Sequence, residues 1–283
     1  MNRSSTRPGD PSAQTLGRLA ADGVTLAYDR RVISEALTVT IPDESFTVIV
    51  GPNACGKSTL LRALSRLLSP SAGSVVLDGR SIAEYRAKEA ARLVGLLPQS
   101  SIAPDGITVA DLVARGRYPH QGLIRQWSTA DEEAVESAMA ATNVTSLRTR
   151  HVDELSGGQR QRVWAAMALA QQTPILLLDE PTTYLDIAHQ IELLDLFADL
   201  HEAGSTLVAV LHDLNHAARY ATHLIAMKDG QVRAQGAPGE VVATGDPHAV
   251  LTEELVAEVF SLHARVVPDP ESGTPLVVPR WGH

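Results

Sequence analysis

Phe46-Thr-Val-Ile-Val-Gly-Pro-Asn-Ala-Cys-Gly-Lys-Ser-Thr59 decides the fold. The apolar run Phe46–Val50 reads as a buried strand, and Leu60-Leu-Arg-Ala-Leu-Ser-Arg-Leu-Leu68 beyond it as a helix. Between them lies a glycine-framed loop with Lys-Ser at the helix start. Strand, loop and helix in that order form a phosphate-binding P-loop. Successive backbone N–H groups converge on one point, and the positive end of the helix dipole adds to them. Lys57 then reaches β- and γ-phosphates, and the Ser58 hydroxyl can ligate Mg²⁺. The candidate nucleotide contacts are Gly51, Pro52, Asn53, Ala54, Cys55, Gly56, Lys57, Ser58 and Thr59. The bland alternative is an ordinary strand-to-helix turn that happens to carry Lys-Ser. The eight-position pattern in that context outweighs it.

On the N-terminal side, residues 17–50 alternate in polarity and turn often. Asp22–Tyr28, Val32-Ile33 and Leu37–Ile41 read as strands of a mixed layer that feeds the P-loop strand. On the C-terminal side, Ser69–Gly73 stops the helix, and a strand at Ser74–Leu77 turns at Asp78-Gly79. A helix over 81–92 and a short buried strand at Leu93–Leu97 follow, ending at Pro98-Gln99.

Residues 107–172 change character, with helical periodicity over Ile107–Val113, Ser128–Ala141 and Gln159–Gln172. Thr129–Glu132 reads as a capping box opening the second of these. A helical insert of about residues 100–170 is therefore expected within an α/β chain. The parallel-sheet pattern returns with Ile175–Leu178, helix 187–202, strand Leu207–Leu211, helix 213–221 and strand Leu224–Met227. Asp229-Gly230 turns into Val232–Gln235. A helix at Thr252–Phe260 and extended pieces at Ala264–Val267 and Pro275–Val278 close the chain.

Composition narrows the function class. The 283 residues are 44% hydrophobic and 20% charged, as in a soluble globular protein with an ample core. A net charge of −9, from 24 Lys+Arg against 33 Asp+Glu, lacks the basic stripe of a nucleic-acid binder. One cysteine excludes an internal disulfide. Residues 1–16 have no apolar h-region and read as a disordered leader. No run of 18 apolar residues occurs, so a membrane role must come through a partner. Residues 17–270 read as the folded domain and 271–283 as an extended tail.

Four strand ends carry chemistry. Asp179-Glu180 closes Ile175–Leu178, where open α/β sheets bind ligands. Asp179 is placed to hold Mg²⁺ and Glu180 to take a proton from an attacking water. Alone, the pair would be an acidic turn at a helix start. Gln99 follows the Leu93–Leu97 strand and can ligate Mg²⁺, and His212 follows Leu207–Leu211 and can bond a γ-phosphate. Taken singly, either is ordinary loop polarity. Together with the P-loop they specify an NTP hydrolysis site. A zinc site at His212 and His216 is rejected, because one residue ends a strand and the other lies on a helix face.

Leu155, Ser156, Gly157, Gly158 and Gln159 form the second diagnostic stretch. Ser156 and Gln159 can form a capping box, which is its purely structural reading. Two glycines between them leave the helix N-terminus unshielded, and bare N–H groups plus a hydroxyl suit a γ-phosphate. The P-loop already serves this chain's nucleotide, so this end is expected to serve a second subunit's.

In this order, the P-loop, Gln99, Leu155–Gln159, Asp179-Glu-Pro-Thr-Thr-Tyr-Leu-Asp186 and His212 resemble the ATP-binding subunits of ABC transporters, over about Leu19 to Val278. GTPases and AAA-type ATPases share the P-loop but not Leu-Ser-Gly-Gly-Gln. The resemblance implies a P-loop NTPase (RecA-like) α/β core with a parallel sheet, an N-terminal antiparallel β layer and an inserted α-helical subdomain. It implies ATP and Mg²⁺ as cofactors, and catalysis in a head-to-tail dimer of two copies. Asp186 would be the D-loop contact across that dimer, and Tyr28 the aromatic that stacks on adenine.

Ala114–Gln121, Asp186–Gln190, Leu211–Asn215 and Gly273–Pro279 resemble the ferric-siderophore importers within that family. The resemblance implies a peripheral ATPase on the cytoplasmic face of the inner membrane, driving integral-membrane permease subunits. A periplasmic or lipoprotein substrate-binding protein would act indirectly. Arg115, Arg117 and Tyr118 would contact the permease; the structural alternative is an exposed polar turn. Haem, cobalamin or another metal chelate is the alternative cargo, and a soluble ABC-type ATPase in translation or DNA repair the alternative class. Two local expectations concern the loop: Ala54, where many relatives have glycine, should have negative φ, and the helix N-terminus should lower the Cys55 thiol pKa.

Overall fold

In a computed structural model describing residues 17–29, 31–99, 102–122, 127–238 and 250–280, two sheets pack on either side of the P-loop helix. The expected leader, residues 1–16, lies outside the described residues. The first sheet holds β1 (Leu19–Tyr28), β2 (Arg31–Ile41), β4 (Ala72–Leu77) and β5 (Arg80–Ser81), antiparallel in the order β2-β1-β4-β5. Val32-Ile33 and Leu37–Ile41 belong to one strand, because Ala36 takes φ 48° and the irregularity is absorbed in the β1–β2 register.

The second sheet holds β3 (Phe46–Val50), β6 (Val94–Leu97), β7 (Ile175–Asp179), β8 (Thr206–Val210), β9 (His223–Lys228) and β10 (Gln231–Gly236). Its order is β10-β9-β3-β8-β7-β6, parallel except for the β9–β10 hairpin. Every residue of β3, β7 and β8 is buried, which is why these stretches read as continuous apolar runs. Ile49, Val208, Val210 and Ile225 face the helix α1 (Lys57–Leu64), itself seated by Leu60, Leu61 and Leu64. Phe46, Val48, Val50, Leu207 and Ala209 face the other way.

That other face is covered by α5 (Gly157–Ala170), α6 (Ile187–Glu202), α7 (Leu214–Tyr220) and α8 (Glu253–Phe260). The expected helix 81–92 divides into a 3₁₀ turn, Ile82–Glu84, and α2 (Ala87–Leu93), because Tyr85 and Arg86 are extended. The helical insert comprises α3 (Val109–Ala114), a 3₁₀ turn over Arg115–His120, α4 (Thr129–Ala141) and α5. Leu112, Val113, Val135, Met139, Val163 and Trp164 form its core, continuous with the sheet's. The capping box of α4 sits one residue earlier than expected. Ser128, with ψ 163°, has the extended backbone an N-cap needs, and it pairs with Asp131 while Thr129 is already helical.

The two extended pieces expected near the C-terminal end pair as a hairpin. The strands β11 (Ala264–Pro268) and β12 (Pro275–Pro279) pair across the expected boundary at 270. Asn215 of α7 holds β12 by accepting from Val277 N at 2.7 Å. No helix among the described residues is long and apolar enough to cross a membrane.

Candidate nucleotide-binding site

The loop after β3 turns because two of its glycines occupy places no side chain could. A Cβ on Gly51 would lie 2.2 Å from the Met227 carbonyl oxygen at the end of β9. Gly56, at φ 107°, caps α1 with no side chain over the helix end, so the first N–H groups face open space. Lys57 is 5% exposed and its Nζ donates to the Gly51 and Pro52 carbonyls at 2.8 and 2.9 Å. The ammonium thus spans the loop at the place where phosphate oxygens would take over from the carbonyls.

Two local expectations fail here. Ala54 has φ 61°, since the loop curls back at that residue, at a cost of about 1–2 kcal/mol that glycine would escape. Burial among the side chains around α1 raises the Cys55 thiol pKa by more than nearby Lys57 lowers it, so helix-end activation loses to desolvation.

The strand ends converge as the spacing requires. Asp179, 2% exposed at the end of β7, accepts from Ser58 Oγ at 2.7 Å. Burial raises its carboxyl pKa, and the Ser58 hydrogen bond opposes that rise. Glu180 takes φ 53°, turning its carboxylate sideways: Oε2 accepts from Thr183 Oγ1 at 3.3 Å, and Oε1 lies 2.8 Å from His212 Nε2. His212 therefore lies against the candidate base, on the same cavity rim where a bond to a γ-phosphate is expected of it. A cavity of about 480 Å³ is bounded by the loop from Asn53 to Thr59 and by Gln99, Glu180 and His212. That is room for a nucleotide-sized ligand.

Arg31 and Ile33 also line this cavity and were missed, because nothing in their local pattern separates them from other strand residues. Tyr28 does not line it; its hydroxyl accepts from Arg62 Nη1 at 3.1 Å. Among the described residues no three His, Cys, Asp or Glu side chains could hold a metal by themselves. The Ser58 hydroxyl, the buried Asp179 carboxylate and nearby Gln99 still fit Mg²⁺, a hard ion, with phosphate oxygens completing the shell.

The second stretch stands apart from this cavity: among the described residues, none of Leu155–Gln159 borders it. Ser156 caps α5 by accepting from Gln159 N at 3.3 Å, and Gln159 Oε1 accepts from Ser156 N at 3.1 Å. The helix end is therefore less bare than expected, although the box engages only the cap and third N–H groups. Gly157 and Gly158 lie against Tyr184 and Leu185, where added Cβ atoms would come within 3.4 and 3.3 Å. Gln161 Nε2 donates to the Pro181 carbonyl at 2.9 Å, tying the loop after Glu180 to α5. At the end of that loop, Asp186 caps α6 and accepts from His189 N at 3.0 Å with its carboxylate 67% exposed.

Of the three expected permease contacts, Arg115 and Tyr118 are exposed, but Arg117 is not. Arg117 is 5% exposed, with Nε 2.9 Å from Asp131 Oδ1. The tight turn points its guanidinium inward between α4 and α5, so it cannot touch a partner.

The ABC transporter family model matches residues 34–183. The chain is 55% identical to the ferric enterobactin transport ATP-binding protein FepC of Escherichia coli K12, over 94% of this chain and 95% of that one. It is 51% identical to the probable siderophore transport system ATP-binding protein YusV of Bacillus subtilis 168, over 93% of each. Among solved structures, a dimeric bacterial ABC transporter cassette superposes with a TM-score of 0.70 at 26% identity, covering 77% of this chain and 98% of that one.

Proposed function

Because this chain belongs to the ABC transporter ATP-binding family, we propose that it is the ATP-hydrolysing subunit that drives ferric-siderophore import through a separate permease. The observation that carries the hydrolytic part is the Glu180–His212 pair at 2.8 Å on the rim of the P-loop cavity. ATP would lie on the open end of α1, with Lys57 turned from the Gly51 and Pro52 carbonyls to its β- and γ-phosphates. Ser58, Asp179 and Gln99 would hold Mg²⁺, which when bound neutralises developing phosphate charge. Glu180 would take the proton of a water whose oxygen attacks the γ-phosphorus, while the bond to the bridging oxygen breaks and ADP leaves. His212 keeps that carboxylate aimed.

Ser156–Gln159 lies off the cavity, which supports its serving the nucleotide of a second copy, with Asp186 at the contact between copies. Tyr28 on the adenine would require Arg62 to release its hydroxyl. The exposed Arg115 and Tyr118 would meet the permease, placing the chain peripherally at the cytoplasmic membrane face. A substrate-binding protein would meet the permease, not this chain. The 55% and 51% identities to siderophore-transport proteins support the cargo class.

Uptake of radiolabelled ferric enterobactin in a strain lacking this chain tests the reading, with ferric hydroxamate, haem and cobalamin as parallel arms. Restoration by the chain is expected in a siderophore arm alone. Restoration only for haem or cobalamin would change the cargo, and equal uptake without the chain in every arm would overturn the transport role.

A further inference from the structure

The turn that carries Arg115 and Tyr118 is held from three sides. Arg117 donates from Nε to Asp131 Oδ1 at 2.9 Å, and from Nη1 to the Ala170 carbonyl at 2.7 Å and Gln172 Oε1 at 3.0 Å. His120 Nε2 lies 2.7 Å from the Gln171 carbonyl. From α2, Arg92 Nε donates to the Pro119 carbonyl at 2.8 Å and Lys88 Nζ to that of Gln121 at 2.9 Å. Gly116 permits the closest approach, since a Cβ there would sit 2.3 Å from the Met167 carbonyl oxygen. The Ala170 carbonyl that ends α5, and that of Gln171 just beyond it, thus find their partners in this turn, and a cation sits where the helix dipole favours one.

We infer that Arg117 is a positioning residue that fixes the 115–121 turn to the C-terminal end of α5, so that turn and Ser156–Gln159 stretch move as one body. The helix between them has 14 residues, about 21 Å of stiff rod at 1.5 Å per residue. Stability alone does not account for the pair. Both side chains are only 6% exposed, and such a buried ion pair is often no better than well-packed apolar residues. What it supplies is a single geometry, because a planar guanidinium with partners on α4, at the end of α5 and just past it admits one placement. The Ser128 hydroxyl first, and Arg117 beside it, hold the Asp131 carboxyl down at about 2, so the pair stays charged at any cellular pH. Only the consequence of the movement, a pull on a permease, rests on the proposed function.

Spin labels at the exposed positions of Arg115→Cys and Asp153→Cys, in full-length chain diluted with unlabelled chain, test the rigid body directly. One narrow distance, unchanged by ATP, is expected. Arg117→Met with Asp131→Asn, which leaves no buried charge unpaired, should broaden it at least twofold. If that variant does not fold, Arg117→Lys supplies the same reading, because lysine lacks the fork. A broad distance in the native chain, or an unchanged width in the folded variant, overturns the inference. In the chain assembled with its permease, ferric enterobactin imported per ATP hydrolysed should fall about tenfold in the variant. Loss of folded protein lowers both rates together and leaves that ratio alone. Native complex that hydrolyses ATP without import would overturn the transport reading, while the label distance still decides the role of Arg117.

Discussion

Two helices of this protein begin at diagnostic loops, and their N-termini are finished differently. The start of α1 has no side-chain cap: Gly56 takes φ 107° and Lys57 folds back on two loop carbonyls. The start of α5 closes on itself through the reciprocal Ser156–Gln159 box. An open end with a cation beside it can take phosphate once Lys57 turns from the two carbonyls. A capped end is stable by itself and keeps only its first two helical N–H groups free for an anion. The contrast suits a site assembled in two halves, one that binds nucleotide alone and one that engages only when another copy brings it.

The largest effect should come from the α1 side. Glu180→Gln removes the proposed base while leaving Lys57 and the loop intact, so turnover should fall about 10²–10⁴-fold in a phosphate-release assay. ATP should still bind and hold two copies together during size-exclusion chromatography. A variant that still hydrolyses at the native rate would remove Glu180 from its role. On the α5 side, Ser156→Arg should lower hydrolysis about 10²-fold, the scale of losing one stabilising donor. Nucleotide affinity of the isolated chain, measured by fluorescence titration, should stay unchanged. Weakened binding there would merge the two halves into one site and break the contrast. The smallest effect isolates the cap. Ser156→Ala should destabilise by about 1 kcal/mol and lower Tm by about 2–4 °C in calorimetry, without altering nucleotide binding by the isolated chain.

Much of this was legible from residue order. The strand at Phe46–Val50 and the helix at 187–202 appear with the expected bounds, because a fully buried strand and a long amphipathic helix each leave a strong periodic record. Gln99, Glu180 and His212 follow strands whose order in a parallel sheet brings their ends to one rim. Residues whose meaning lies in side-chain direction were not legible. Arg117 sits in a polar, proline-containing turn that reads as surface, yet the turn aims it inward. Ala54 takes a glycine-like φ because its neighbours in the loop impose it, and Arg31 reaches the cavity from a strand of the other sheet.

The sequence by itself determined the α/β core, the P-loop and the family, because short-range spacing specifies strand, turn and helix together with the phosphate chemistry they carry. Only the tertiary structure decided that His212 grips Glu180, that burial raises the Cys55 thiol pKa, and that Arg117 points inward to Asp131. Each of these depends on which way one side chain points and how much water reaches it. Those quantities are set by packing between segments far apart in the chain.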